Sequence, residues 1–313
     1  ICFGEKTIQI GEKQIKAFEV DMELKSPFGS MITKSWFDEN CVALKTVMNM
    51  GGMKISIIEV PKKKAKKMEE EAHELLLSSV VPLDAAVPNS DKNTFIMKAI
   101  KGKWSAKLFE GNGQKIEKIN DNSIRVIVDQ SLKKKKVEGE TDLKPFLSSS
   151  VYLDTDDLLI QKLAKKGKGK AKTSQEIANK LTKFVFRYMT NKNYEVGFAT
   201  ASEVARNKAG DCTEHSILLA ALGRALAIPS RVVTGLVYAD EFEDQKDVLV
   251  YHMWTQFYID DQWVNLDSAL GLVKCPADRI TFSVDSLEED TIASVLPLME
   301  LINNLKVTVQ TIE

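Results

Sequence analysis

Alternating apolar and polar residues dominate the first third of the chain. This spacing turns apolar side chains to one face of a strand, so it predicts antiparallel sheet. The alternating runs are Gln14–Leu24, Met31–Phe37, Val42–Met48, Lys54–Val60, Thr94–Ile100 and Ser123–Asp129. Lys62–Leu77, which is charged and then apolar, predicts a helix laid over this sheet. We therefore expect a β-rich N-terminal domain over residues 1–150.

The pattern changes to helical spacing after residue 150. Tyr152–Ala164 is acidic and then apolar, and Thr173 and Glu176 form a capping box ahead of an apolar stripe. The predicted elements are helices at Ser174–Thr190, Ala201–Lys208 and Ser286–Leu305 and a last strand at Lys306–Ile312. Residues 151–313 are therefore expected to form a second domain that mixes helices and strands.

One predicted helix begins at a cysteine. Asp211 and Glu214 form a capping box around Cys212, and nearly every residue from Ser216 to Ala227 is apolar or small. A helix that is apolar all round is buried, so we expect it at the centre of the core. A thiol at a helix N-terminus is favoured as thiolate by the helix dipole. The alternative is an ordinary buried cysteine, and position alone leaves both readings open.

A β-hairpin is predicted downstream of this helix. Val248–Ile259 and Gln262–Asp267 are rich in β-branched and aromatic residues, and Asp260–Asp261 between them fits a tight turn. With those two residues as the loop, Tyr258 lies opposite Trp263. A four-residue loop keeps the same register.

This register brings an imidazole close to a carboxylate. Trp254 lies opposite Asp267, and His252 shares the face of Trp254 because side chains alternate along a strand. Asp267 is then diagonal to His252, about 7–8 Å away between backbones and within reach of a long side chain. A thiol, a base and a group that orients the base are the parts of a nucleophilic triad. The alternative is a core histidine with satisfied hydrogen bonds and a carboxylate that caps a strand end.

Several motifs, in this order along the chain, resemble the transglutaminase-like superfamily. They are GDCTEHS at Gly210–Ser216, Arg224–Ala225, IPSRVVTG at Ile228–Gly235, HMW at His252–Trp254 and WVNLD at Trp263–Asp267. The resemblance covers residues 173–270 and implies a papain-like α+β core that holds a Cys-His-Asp triad. It assigns Cys212 as the nucleophile, His252 as the general base and acid, and Asp267 as the group that orients His252.

The resemblance also implies a reaction and leaves alternatives open. It implies a cysteine-dependent acyl-transfer enzyme that acts on amide bonds through a thioester, with a protein or peptide as substrate. We expect hydrolysis, as in a bacterial-type protease or amidase. The alternatives are a cross-linking transglutaminase and a non-catalytic binding protein that retains the fold. Two departures from the family pattern are Gln256, where bacterial relatives often carry an acid, and Leu226–Ala227, where a glycine is usual.

Other residues are candidates for supporting roles at the site. His215 lies three residues after Cys212, hence on the same helical face, but a helix N-terminus disfavours imidazolium. We therefore expect it to support the site rather than act as the base. Asn193 and Tyr194 are candidates for the oxyanion donor, and Trp254 for a wall of the substrate cleft.

Zinc bound by Cys212, His215, His252 and Asp267 is a further alternative, but the C-x-x-H spacing is weak evidence for it. We expect no metal and no cofactor.

Composition sets mild limits on partners and location. The 313 residues carry a formal charge of −1, with a pI near 6.4, so nothing draws the whole chain to nucleic acid. Three lysine clusters, Lys62–Lys67, Lys133–Lys136 and Lys165–Lys172, are expected to be solvated surface, the last as a flexible loop. No apolar run is long enough for a transmembrane helix.

The ends and cysteines of the chain add little. Four cysteines are too few for a disulfide scaffold. The first residue, Ile1, is not methionine, which indicates either a trimmed chain or a processed product from which a signal peptide has been removed. The location stays open, and we favour a periplasmic or secreted one.

Overall fold

The chain falls into two compact units. In this computed structural model the described residues are 2–10, 13–26, 29–50, 53–60, 80–104, 106, 108–131, 142–191, 199–242, 244–288, 301 and 304–310. One unit comprises Ile1–Ala72 and Met299–Ile302, and the other His73–Leu298 and Asn303–Glu313. The two units are defined by contacts within the folded chain and are not the predicted domains. The domain boundary at residue 150 stays a prediction.

The first unit contains an antiparallel sheet in which each strand pairs with the next along the chain. Its strands are β1 (Cys2–Ile10), β2 (Lys13–Ser26), β3 (Gly29–Phe37), β4 (Ala43–Met50) and β5 (Met53–Ile58). The alternating runs before residue 61 are thus confirmed as strands, because alternation buries one face of such a sheet.

The second unit contains two further antiparallel sheets. The strands are β6 (Val80–Pro82), β7 (Lys92–Ala99), β8 (Gln114–Asn120), β9 (Ser123–Asp129), β10 (Ser230–Phe242), β11 (Gln245–Ile259), β12 (Gln262–Leu266), β13 (Arg279–Asp285) and β14 (Leu305–Gln310). One sheet has the order β14-β7-β9-β8. The other has the order β12-β11-β10-β13, with β6 paired to β11. The predicted last strand is therefore confirmed as β14.

Four helices are present among the described residues. They are α1 (Leu158–Lys168), α2 (Ser174–Tyr188), α3 (Ala201–Asn207) and α4 (Cys212–Arg224), and a short 3₁₀ turn spans Lys144–Phe146. Both sequence-predicted capping boxes form: Thr173 with Glu176 begins α2, and Asp211 with Glu214 begins α4. These boxes satisfy backbone N–H groups that the first turn of a helix leaves without a partner.

The lysine-rich segment Lys165–Lys172 was wrongly expected to be entirely loop. Helix α1 continues to Lys168, and its last turn carries lysines, which the negative end of the helix dipole favours. Gly167 is buried, and a Cβ there would approach Leu181 to 2.8 Å and Phe184 to 3.0 Å. The glycine therefore lets α1 pack closely against α2.

Helix α4 is the centre of the core of the second unit. All of its residues are buried, and it packs against β10 and β11, where Thr255 Oγ1 donates to the Ser216 carbonyl at 3.1 Å. The expected α+β arrangement, a cysteine-bearing helix on an antiparallel sheet, is confirmed. The chain leaves α4 through Ala227 in the left-handed region, at φ 58°. Such a backbone favours glycine, which explains why glycine is usual at this point of the family pattern.

Some sequence predictions lie outside the described residues. These are the helix at Lys62–Leu77, the lysine cluster Lys133–Lys136 and most of the helix at Ser286–Leu305. None of the described helices is long and apolar enough to cross a membrane.

Candidate active site

Cys212 is the first residue of α4 and lines a cavity of about 260 Å³. Asp211 is the N-cap, and its Oδ1 accepts the Thr213 N–H at 2.7 Å. The thiol of Cys212 therefore lies at the positive end of a buried helix, as the sequence predicts. His252 and His215 line the same cavity.

The predicted hairpin has the predicted register. Tyr258 pairs with Trp263, and Thr255 pairs with Leu266. Asp260 and Asp261 have φ values of 49° and 59°, the left-handed conformation of a two-residue hairpin turn.

The hairpin joins His252 to Asp267. His252 Nε2 lies 2.9 Å from Asp267 Oδ2. An ionised carboxylate only accepts hydrogen bonds, so Nε2 of His252 carries a proton. In the neutral ring the other nitrogen, Nδ1, is then unprotonated and can accept one.

Asp267 is completely buried and accepts four hydrogen bonds. Its Oδ1 accepts the backbone N–H groups of Ala269 and Leu270, each at 3.1 Å, and its Oδ2 accepts His252 and, at 3.1 Å, Arg279 Nη1. Burial alone raises the pKa of a carboxyl group. Here His252, Arg279 and the Leu270 N–H outweigh burial and hold the pKa of Asp267 well below its usual value. Asp267 is therefore ionised at neutral pH.

Sequence reasoning missed Arg279. Its side chain is about 1 % exposed, Nε donates to Asp278 Oδ1 at 3.1 Å, and the guanidinium lies 5.4 Å from the ring of Trp254. A charged residue is almost never buried unless it is paired. No local signal in the sequence indicates this pair, because the run ITFSV alternates and puts Arg279 on the same face of the strand as Thr281 and Ser283.

Trp254 supports His252 from the same face of β11. The two rings stack at 6.4 Å and 18°, and Trp254 Nε1 donates to Asn265 Oδ1 at 3.0 Å. Trp254 is completely buried and is not among the residues that line the cavity. The structure therefore places it behind His252 and not at the cleft wall. Gly235, opposite His252 in β10, has no Cβ, and a Cβ there would meet the Trp254 ring at 2.9 Å.

Gln256, which stands where the resemblance suggests an acid, uses both polar atoms of its side-chain amide in hydrogen bonds. Its Oε1 accepts from Arg231 Nε and its Nε2 donates to Asn265 Oδ1, both at 2.7 Å. The guanidinium of Arg231 lies 4.0 Å from the centre of the Trp263 ring. The neutral amide of Gln256 thus links Arg231 to Asn265, and Asn265 also accepts the hydrogen bond from Trp254.

His215 is buried, and its ring is oriented by the backbone. Nδ1 lies 2.6 Å from the Asp211 carbonyl oxygen, so Nδ1 carries a proton and donates. The oxyanion candidates Asn193 and Tyr194 lie outside the described residues.

Glu214 is completely buried in the first turn of α4, and its Oε2 accepts the Asp211 N–H at 3.1 Å. Burial first, and then the charge of Asp211, raise the pKa of Glu214 to about 8. Glu214 is therefore mostly protonated at neutral pH. Glu214 Oε1 and Asp211 Oδ2 accept no hydrogen bond from the described residues, and a hydrogen bond from protonated Glu214 to Asp211 accounts for both oxygens. A neutral Glu214 adds no negative charge beside the thiol of Cys212.

The remaining cysteines differ from Cys212. Cys2 and Cys41 are exposed, and Cys275 is buried, which raises the pKa of its thiol to about 12. No group of three or more His, Cys, Asp and Glu side chains in the described part of the chain is arranged to hold a metal ion.

Part of the second unit is similar to a known family of domains. Residues 161–268 match the family model described as the transglutaminase-like superfamily. This range includes Cys212, His252 and Asp267 and ends before Arg279. No curated protein matches the chain.

Solved structures resemble the chain distantly. One is described as a candidate cysteine protease from Cytophaga hutchinsonii, with 18% identity over 71% of this chain and 83% of that one and a TM-score of 0.41. Another is the periplasmic domain of TgpA from Pseudomonas aeruginosa, with 12% identity over 82% of each chain and a TM-score of 0.41. Likenesses this distant identify no activity.

Proposed function

We propose that the protein is a cysteine-dependent acyl-transfer enzyme that cleaves amide bonds through a thioester on Cys212. The observation that carries this proposal is a shared cavity. It is lined both by a thiol at a helix N-terminus and by a histidine whose Nε2–H is held by a buried, ionised aspartate. A core histidine with a capping carboxylate would not need to share a cavity with a thiol.

In the first half of the proposed reaction, the sulfur of Cys212 attacks the carbonyl carbon of the amide. Nδ1 of His252 takes the thiol proton and then gives it to the leaving amine as the C–N bond breaks. Asp267 holds the ring of His252 and stabilises the imidazolium formed on the way. The backbone N–H of Cys212, at the positive N-terminal end of α4, is proposed to stabilise the oxyanion.

In the second half, water attacks the thioester while His252 takes its proton. The C–S bond breaks, a carboxylic acid leaves and the thiol of Cys212 is restored. We favour water over an amine as the acceptor because Leu270, which lines the cavity, is 49% exposed and leaves part of the wall open to solvent. The proposed substrate is a protein or peptide and the proposed location periplasmic or secreted.

The test is acylation by p-nitrophenyl acetate, followed by p-nitrophenol release and by intact mass. We expect one acetyl group per chain on Cys212 before turnover and none on Cys212→Ala, because only a covalent intermediate stores the acyl group. With a small primary amine present, the acid should remain the main product. Predominant amide would indicate a transglutaminase, and a wild-type protein that behaves like Cys212→Ala would indicate a binding protein.

A further inference from the structure

The cavity beside Cys212 is lined mainly by apolar side chains. Beyond the reacting groups and their neighbours in α4, the wall includes Val237, Ala239, Phe242, Val250 and Leu270. Four of these five belong to β10 and β11, and Val237 pairs directly with Val250. The strands that position His252 therefore also provide an apolar wall next to the thiol.

The polar groups of this wall are largely occupied. The Tyr238 hydroxyl donates to Asp247 Oδ1 at 2.5 Å. Asp211, the one acidic residue among the described lining residues, is held by the Thr213 N–H and by protonated Glu214. The Tyr251 hydroxyl is buried and has no hydrogen-bond partner within the described residues. A charged substrate side chain would thus lose its hydration, and the one carboxylate in this wall already accepts hydrogen bonds.

The size of the cavity limits what enters it. Sites that enclose drug-sized molecules have volumes of about 300–1,000 Å³. At about 260 Å³ the cavity lies just below that range, which suits a single side chain rather than several residues of a peptide.

We propose that this cavity takes an apolar side chain, aliphatic or aromatic, of the residue whose carbonyl carbon Cys212 attacks. The substrate class is then a peptide cleaved after an apolar residue and not an amide at the end of a glutamine side chain. This proposal rests on the proposed function, because the cavity selects substrates only if Cys212 is acylated.

The experiment compares p-nitrophenyl esters of N-acetyl methionine, N-acetyl glutamine and N-acetyl lysine. Methionine and glutamine have similar shapes, so their ratio of kcat/KM reports polarity. We expect kcat/KM of the methionine ester to exceed that of both others by about 10-fold or more, since moving an amide or ammonium group from water to a mainly apolar wall is disfavoured. Each rate is divided by the rate of hydroxide-catalysed hydrolysis of the same ester.

Two cavity variants test whether the wall sets this preference. Phe242→Ala should lower kcat/KM for the methionine ester by about 10-fold, and by more than it lowers kcat/KM for p-nitrophenyl acetate, which has no side chain to place in the cavity. Ala239→Glu adds a carboxylate to the wall and should raise kcat/KM for the lysine ester relative to that for the methionine ester. The matched control is Leu158→Glu, which places the same charge on an exposed position of α1 outside the cavity and should change neither ratio.

The outcomes separate this proposal from the proposed function. Equal or better use of the glutamine or lysine ester, with normal acylation by p-nitrophenyl acetate, would overturn the apolar preference and leave the acyl-transfer function standing. No acylation of Cys212 by any ester would overturn both. Unchanged ester ratios in Phe242→Ala and Ala239→Glu would show that selection lies elsewhere and would contradict the proposal.

Discussion

Replacing Asp267 by asparagine is expected to slow acylation of Cys212 by up to about 10⁴-fold. Asparagine keeps the volume of the side chain but removes the charge that stabilises the imidazolium of His252. Its amide can also donate, which favours the tautomer of His252 with the proton on the wrong nitrogen. The measurement is the single-turnover rate of p-nitrophenol release from p-nitrophenyl acetate.

The control for Asp267→Asn is a demonstration that the variant protein is folded. Asp267 is completely buried and bonded to Arg279, so its loss leaves the buried guanidinium with Asp278 as its remaining carboxylate partner. Asparagine is therefore a better choice than alanine, and circular dichroism and the thermal midpoint must show a folded protein. A folded Asp267→Asn protein with the wild-type rate would remove Asp267 from the proposed triad.

Replacing Arg279 by methionine is expected to slow acylation by about 10- to 100-fold, the effect of losing one charge-assisted hydrogen bond. Arg279 touches no reacting atom, so it is a positioning residue that acts through Asp267. Without the guanidinium the pKa of Asp267 should rise, because a charge that lowers it is lost. The acidic limb of the pH–rate profile should therefore move to higher pH. Arg279→Lys, which keeps the charge, should recover part of the rate.

A second buried arginine provides the matched control. Arg224 is 4% exposed and donates to the backbone carbonyls of Ser148, Ser230 and Ser286, away from Asp267. Arg224→Met should lower the thermal midpoint without moving the acidic limb. If both methionine variants shift the pH profile equally, the effect of Arg279 is general destabilisation and not positioning.

Short-range patterns in the sequence were enough to predict the elements that hold the site. The capping box of Asp211 and Glu214 placed Cys212 at the start of α4, because it satisfies the first backbone N–H groups of that helix. The turn at Asp260–Asp261 determines which residues of β11 and β12 lie opposite each other. In that register Asp267 is diagonal to His252, as the contact between them confirms. Both inferences need only contacts between residues close together in the chain.

Contacts between distant segments could not be predicted in this way. The ion pair of Arg279 with Asp267 depends on β13 pairing with β10, and no local pattern gives that pairing. The apolar wall near Cys212 likewise arises only once β10 and β11 lie beside the start of α4. The helical course of Lys165–Lys168 was missed because packing of Gly167 on α2 outweighs the low helix propensity of glycine.

The measurement that tests the central claim most directly is the acylation rate of His252→Ala beside that of His215→Ala. Both histidines line the cavity of Cys212, but only His252 is bonded to Asp267. We expect folded His252→Ala to lose acylation by p-nitrophenyl acetate, whereas His215→Ala should change the acylation rate far less. If His215→Ala abolishes acylation while His252→Ala and Asp267→Asn leave it intact, the base has been misassigned and the triad proposed here is wrong.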